Sequence, residues 1–381
     1  MKDENKAYAE FLKALVSFSL DLLKKTEAGA GENTLVSPLS VCLALAMAAN
    51  GADGETLAQM EKVLGLNLDL DSLNLSLSTF VKNLKQGEKA KFQFANSLWL
   101  KKGEGLTVDE DFLKRNDEFY RAEVFLENFD NETLEKINEW VKRNTQGLID
   151  KILDEIQDDS LMYLINALAF DASWRKVYDL KDIYDRDFKS LKGDLQRAKF
   201  MHSKEHTLLN DGKAMGFLKP YAQHYSFMAL LPNEDVDFAE YVAGLEPESF
   251  VNTLDKAGYA DIEADIPKFK VEFKVELGNI LEDMGMPLAF DPEKADFSKM
   301  GKLGEDYDNL YIGRVIHKTY IALDELGTKA GAVTAVEMVG FTMAARLFEP
   351  IKIVLDRPFV YAIIENESGL PIFIGTVTDL G

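Results

Sequence analysis

The sequence predicts an α+β fold rather than a regular alternation of strands and helices. Helix-like stretches crowd the first half, over residues 5–25, 38–49, 54–63, 72–85, 108–117 and 131–145, with one more over 274–284. Strand-like stretches dominate later, over 91–99, 161–170, 226–231, 261–274, 309–323, 351–355, 359–366 and 371–377. Several strands are long and apolar on both faces, as in LMYLINALAF, which suits the centre of a large covered sheet.

The first helix is amphipathic. Phe11, Leu15, Phe18 and Leu22 keep helical spacing with charges between them, so the segment is not a signal peptide. The next holds the single cysteine, Cys42, inside VCLALAMAA, where a buried small hydrophobe is expected. In LNLDLDSLNLSLSTF the leucines first alternate. Leu73, Leu77, Phe80 and Leu84 then take helical spacing, so its second half reads as helix. The chain's 381 residues allow two domains. No composition shift, linker or repeat marks a boundary, and 24 Phe, 13 Tyr and 3 Trp spread along the chain can build one sizeable core.

A net charge of −22 repels phosphate backbones and argues against a nucleic-acid partner. The small basic cluster Lys82, Lys85, Lys89 and Lys91 reads as a solvated helix end. No segment reads as a membrane span. No GxGxxG, phosphate-loop or GxSxG pattern occurs. One cysteine cannot build a thiolate metal site. His202 and His206 stand four apart, but Glu205 is misplaced for HExxH, and a surface loop explains them. Asp69 and Asp71 begin like a calcium loop, yet the glycine is missing and the twelfth position is Phe80. No metal, cofactor or enzyme site is expected. Three glycosylation-type triplets start at Asn74, Asn131 and Asn366.

Residues 325–342, ELGTKAGAVTAVEMVGFT, are small and β-branched with few charges. As a strand, one face carries Thr328, Ala330, Ala332, Thr334, Val336 and Met338. The other carries Lys329, Gly331, Val333, Ala335, Glu337 and Val339, so the charges share the second face. As a helix, Lys329 and Glu337 lie about 80° apart, which also leaves an uncharged stripe. A surface loop is the third reading.

The residues around this stretch carry a resemblance. LYIGRVIHKTYIALDELGTKAGAVTAVEM is similar to the hinge and preceding strand of the serpins, a family of serine-protease inhibitors. NTLVSPLSVCLALAMAANGADGETLAQMEKVLG, ANSLW, INEWVKRNTQGLIDKIL, LINALAFDASW, YSFMALLPNE, IPKFKVE, LEDMGMPLAFDPEKADFSKM and DRPFVYAIIENESGLPIFIGTV follow the family's order along essentially the whole chain.

The resemblance implies a single domain over 1–381, with three β-sheets, eight to nine helices and an exposed reactive-centre loop at about 325–357. It implies a suicide substrate. A target serine protease attacks the loop and forms a covalent acyl complex, and the cleaved loop then enters the main sheet as an extra strand. Strand insertion of this kind in serpins is a known mode of strand addition. The hinge positions are Glu325, Gly327, Thr328, Ala330 and Ala332. Leu326 and Lys329 stand where the family usually has acids, and Gly331 where it has alanine. Lys329 lies on the outward face and does not block insertion.

Counting from the hinge places the reactive bond at Phe341-Thr342. Met343-Ala344 is the alternative, because the segment after Phe341 is longer than in many relatives, and Arg346 lies further down. Phe341 suits chymotrypsin-like proteases, and Met343-Ala344 suits elastase-like or chymotrypsin-like ones. Ser37, Pro38, Ser40, Asn166 and His317 match the family's shutter cluster, and Trp174 its breach. A non-inhibitory carrier or chaperone is the rival function. The inhibitor reading carries further expectations of a monomer, no membrane or nucleic-acid partner, and secretion.

Overall fold

The computed structural model describes residues 2–30, 32–66, 68–84, 87, 90–102, 106–120, 123–157, 160–304, 309–328 and 349–381. Among the described residues, nine α-helices surround three sheets of nine, six and two strands.

The helix Pro38–Ala49 organises the core. Every one of its residues is buried, so it carries no polar stripe. It packs on Ala90–Lys101 and Met162–Ser173 of the six-stranded sheet and on Pro371–Val377 of the nine-stranded sheet. Pro38 occupies the first turn, where its missing N–H is no loss, and Ser37 caps the end. The opposite face of the six-stranded sheet is covered by Asn131–Asn144. Its Ile137, Trp140 and Val141 form a second apolar cluster with Trp99, Tyr163, Ile165 and Ile316. A sheet covered on both faces needs apolar residues on both, which is why residues 161–170 show no alternation.

The first helix extends over Lys2–Ala30 and buries Phe11, Leu15, Phe18 and Leu22, as its spacing predicts. The ambiguous leucine-rich segment becomes Leu70–Asn83, with Asp69 accepting from the Ser72 N–H as its cap. Cys42 is buried, and burial pushes its thiol up to about 12.

Other expectations are corrected. Residues 261–274 are not one strand. Gly258–Pro267 pairs within the nine-stranded sheet and Phe269–Glu276 within the six-stranded one, the chain changing sheets just after Pro267. The expected helix at 274–284 begins only at Gly278. His202 and His206 lie in a strand, Leu195–Asn210, and not in a loop. Residues 202–207 are all polar, with Lys204 and His206 facing solvent and Glu205 between them buried. His202 Nδ1 contacts Asp265 at 2.8 Å, and His206 Nδ1 lies 3.5 Å from Asp261. Asn74 is fully buried, donates to Asn50 Oδ1 at 2.7 Å, and is no glycosylation acceptor in this fold. Lys82 falls in the last turn of its helix, Lys91 lies in a strand, and Lys85 and Lys89 are outside the described residues. Among the described residues no helix is long and apolar enough to cross a membrane.

Candidate functional site at the seam of the six-stranded sheet

The strands of this sheet run in the order Phe269–Glu276, Arg314–Leu323, Gly327–Thr328, Met162–Ser173, Ala90–Lys101, Glu123–Glu127. Arg314–Leu323 and Met162–Ser173 pair in parallel through seven residue pairs, from Arg314 opposite Tyr163 to Tyr320 opposite Ala169. Above these pairs the two strands are parted. Gly327 and Thr328 stand between them, antiparallel to both: Thr328 faces Leu323 on one side and Ala172 on the other. The sheet therefore has a seam that is closed below and opened at one end by two residues.

Below the opening, polar groups cross the seam in a chain with a defined direction. The backbone N–H of Ser37 donates to His317 Nε2 at 3.0 Å. Nε2 is thus the acceptor nitrogen, and Nδ1 carries the proton toward Asn166 Oδ1. Asn166 Nδ2 in turn donates to Ser40 Oγ at 2.7 Å and Asn96 Oδ1 at 2.8 Å. Ser40 Oγ also donates to Asn96 Oδ1 at 3.0 Å. His317 and Asn166 are fully buried. Burial pushes the imidazole down to about 3, so it is neutral at ordinary pH, as the Ser37 contact requires.

At the open end the hinge is held by a tight turn. Asp324 Oδ1 accepts from the N–H groups of Leu326 and Gly327 at 2.8 and 3.3 Å. Gly327 has φ +155°, and a Cβ there would sit 2.0 Å from the Ala172 carbonyl oxygen, so only glycine fits. Glu325 pairs with Lys268, whose ammonium holds the carboxyl below the usual range. Trp174 donates from its indole to Asp324 O at 2.8 Å and from its backbone N–H to Leu326 O at 2.9 Å. It stacks on Tyr221 at 4.4 Å, and the Tyr221 hydroxyl meets Thr328 Oγ1. Thr328 is fully buried, as the inward face of the alternation predicts.

Beneath this platform lies a buried ion pair. Lys219 Nζ is 2.8 Å from Glu205 Oε1, with both side chains under 10 % exposed. The ammonium stands 4.3 Å from the Tyr178 ring centroid and 5.2 Å from that of Trp174. Burial pushes the lysine pKa down, and Glu205 opposes that shift.

The structure thus brings Ser37, Pro38, Ser40, Asn166 and His317 to the closed part of the seam, and Trp174, Glu325, Gly327 and Thr328 to its open end. Ala330, Ala332, Phe341, Thr342, Met343, Ala344 and Arg346 lie outside the described residues. Sequence reasoning missed Asn96, Lys219, Glu205, Lys268 and Tyr221. A local signal existed for one of them: Lys219 is the polar residue of the otherwise apolar strand Ala214–Pro220.

The sequence profile of the family described as serpin (serine protease inhibitor) matches residues 13–380. The chain belongs to the serpin family. A serpin-like protein of Thermococcus kodakarensis is 32% identical over 370 residues, covering 95% of this chain and 84% of the relative. The horse (Equus caballus) leukocyte elastase inhibitor is 30% identical, covering 94% and 96%. The thermophilic serpin tengpin in its native state is 45% identical, with a TM-score of 0.91 over 97% of this chain and 94% of that one. The latent state of tengpin superposes less well, with a TM-score of 0.85. Serpins are for the most part protease inhibitors rather than enzymes, and their family generally targets serine proteases.

Proposed function

We propose that this serpin is a suicide-substrate inhibitor of chymotrypsin-like or elastase-like serine proteases. The observation that carries the reading is the seam, closed through seven pairs and parted only by Gly327 and Thr328. Supporting it are the family match and the relative named as an elastase inhibitor. The protease serine oxygen attacks the Phe341 carbonyl carbon. The amine of Thr342 leaves with a proton, and Phe341 stays esterified to the protease. Met343-Ala344 is the alternative bond.

Both existing registers can be continued into the seam. Residues 329–337 then fill it, with residue 337 reaching the level of Tyr163 and Arg314. Inward positions are Ala330, Ala332, Thr334 and Val336, so no charge is placed on the face that packs on the helix Pro38–Ala49. Thr334 falls between Asn166 and His317. A hydroxyl both accepts and donates, so it can take the His317 N–H and give its own proton to Asn166 Oδ1, replacing the contact it separates. On the outward face Lys329 falls beside Asp171 and Glu337 beside Arg314, opposite charges at both ends of the inserted strand. One parallel ladder is exchanged for two antiparallel ones. At about 0.5–1.5 kcal/mol per new hydrogen bond, the gain is on the order of 10 kcal/mol. Before cleavage the chain's connection at Phe341 withholds it.

Two measurements test the proposal. Incubation with chymotrypsin or elastase is expected to give a denaturant-resistant band at the summed mass, and sequencing of the released segment should begin at Thr342. Limited cleavage in the loop is expected to raise the melting temperature by well over 10 °C. Clean cleavage with no covalent band and no rise in melting temperature refutes inhibition. A monomeric state and secretion belong to the same reading.

A further inference from the structure

A cavity of about 540 Å³ lies in the nine-stranded sheet, outside the seam, and falls within the range of about 300–1,000 Å³ that suits small-molecule sites. Three chain segments wall it. Lys189 and Leu195 come from the hairpin of Ile183–Lys189 and Leu195–Asn210. Glu234, Val236 and Phe238 come from the turn after Tyr225–Pro232 and the start of the helix it leads into. Asp356 and Arg357 come from the stretch that follows Ile351–Val354. Two bonds tie the walls together. The Lys189 N–H donates to Asp356 O at 2.8 Å, and Arg357 Nη2 donates to Pro232 O at 2.8 Å.

Most charges on these walls are already matched. Asp187 accepts from Arg197 at 3.0 Å. Asp356 Oδ2 accepts from Arg186 at 3.0 Å, and its Oδ1 lies 3.5 Å from Arg357. Two charges are not matched. The side chains of Lys189 and Glu234 have no ion pair and no hydrogen bond among the described residues, although both line this one cavity. An ammonium and a carboxylate that share a space without meeting fit a molecule with the opposite charge at each end. Arg357 stands on the same walls, and its planar guanidinium carries further N–H groups that a carboxylate can share with Lys189. The remaining wall is apolar. Leu195 is 71 % exposed there, beside Val236 and Phe238, and an entering apolar side chain would cover it.

We infer that this cavity binds a free α-amino acid with an apolar side chain. Lys189 and Arg357 take its carboxylate, Glu234 takes its ammonium, and Leu195, Val236 and Phe238 hold its side chain. An acid alone or an amine alone satisfies only one of the two unpaired charges; a zwitterion satisfies both. The bound molecule bridges the hairpin, the turn and residues 356–358, and so fastens the end of the strand Ile351–Val354. None of this depends on the inhibitory reading.

L-Leucine is the probe. Isocaproate lacks its ammonium, isoamylamine lacks its carboxylate, and glycine lacks its apolar side chain. Titration calorimetry is expected to show one saturable leucine site and weaker binding of all three analogues. Leucine at about a hundredfold excess over its dissociation constant should raise the melting temperature by about 2–3 °C. Lys189→Met should weaken leucine by about fivefold or more and leave isoamylamine nearly unchanged. Glu234→Gln should weaken leucine by a similar factor and leave isocaproate no weaker. Both side chains are exposed, so neither change threatens the fold. No saturable leucine site, or one untouched by both substitutions, overturns the site. Leucine bound no better than isocaproate and isoamylamine overturns the assignment of a zwitterion. Protease inhibition enters none of these readouts, so failure of the inhibitor reading is told apart by the covalent-band assay.

Discussion

The ion pair between Lys219 and Glu205 gives a prediction that can be worked through. In Lys219→Met the aliphatic stem is replaced and the ammonium is lost. Glu205 is then left inside the protein, with the Ser203 hydroxyl, at 2.7 Å, still donating to it. Its side chain is 8% exposed, so water does little to replace the lost partner. Breaking a buried pair from one side costs about 3–5 kcal/mol. With an unfolding entropy of about 2.1 cal/mol/K per residue, this chain should lose about 4–6 °C of melting temperature. Replacing both members, Lys219→Met with Glu205→Met, removes the orphaned charge and should recover most of the loss, to within about 1–2 °C of the parent. Thermal unfolding followed by circular dichroism, at one scan rate for all three proteins, measures this. A single variant within 1 °C of the parent, or a double variant as unstable as the single one, refutes the account of the pair given above.

Three further outcomes follow from the seam. His317 is neutral when folded and titrates near its ordinary 6.5 when unfolded, while burial holds the folded group at about 3. The unfolded chain therefore binds the extra proton between these values, and stability is full above pH 6.5 and falls as the pH drops toward 3. The slope from this group approaches about 1.4 kcal/mol per pH unit; comparing the parent with His317→Gln in urea titrations from pH 7 to 4 should show that slope disappearing. Gly327→Ala forces a Cβ to 2.0 Å from the Ala172 oxygen, so the two-residue opening should be expelled, with a loss of about 1–3 kcal/mol and a change in emission from Trp174. Thr334→Val should leave the uncleaved protein unchanged but reduce the melting-temperature gain on cleavage, because insertion then strands the His317 N–H at about 1–3 kcal/mol.

Much of this site was legible, for unequal reasons. The seam strands and the helix Pro38–Ala49 announced themselves because burial on all sides leaves unbroken apolar runs. The inward parity of Thr328 followed from simple alternation. Trp174, Asn166 and His317 were reached through family resemblance, since a single polar residue in an apolar strand does not say what it faces. Leu195–Asn210 was misread at His202 and His206 because the unbroken polar run 202–207 of a half-solvated strand resembles a loop locally. Lys219 and Glu205 come from different strands, and no local pattern reveals that two distant charges satisfy each other in the interior. The direction of the chain from Ser37 to Asn96 was likewise invisible, because it depends on one backbone N–H meeting one imidazole nitrogen.

The two residues already seated at the head of the seam have a kinetic meaning. Starting a new strand is ordinarily the slow event, since several dihedral angles must be fixed before any ladder bond repays them. Here folding itself completed that start, with Gly327 and Thr328 bonded to both flanks. On the proposed inhibitory reading, what remains after a cut is unzipping seven existing pairs one by one just ahead of an advancing tip. In that reading the race against deacylation is set by how firmly that parallel ladder clings, and loosening it should speed capture and shorten the shelf life of the uncut protein together.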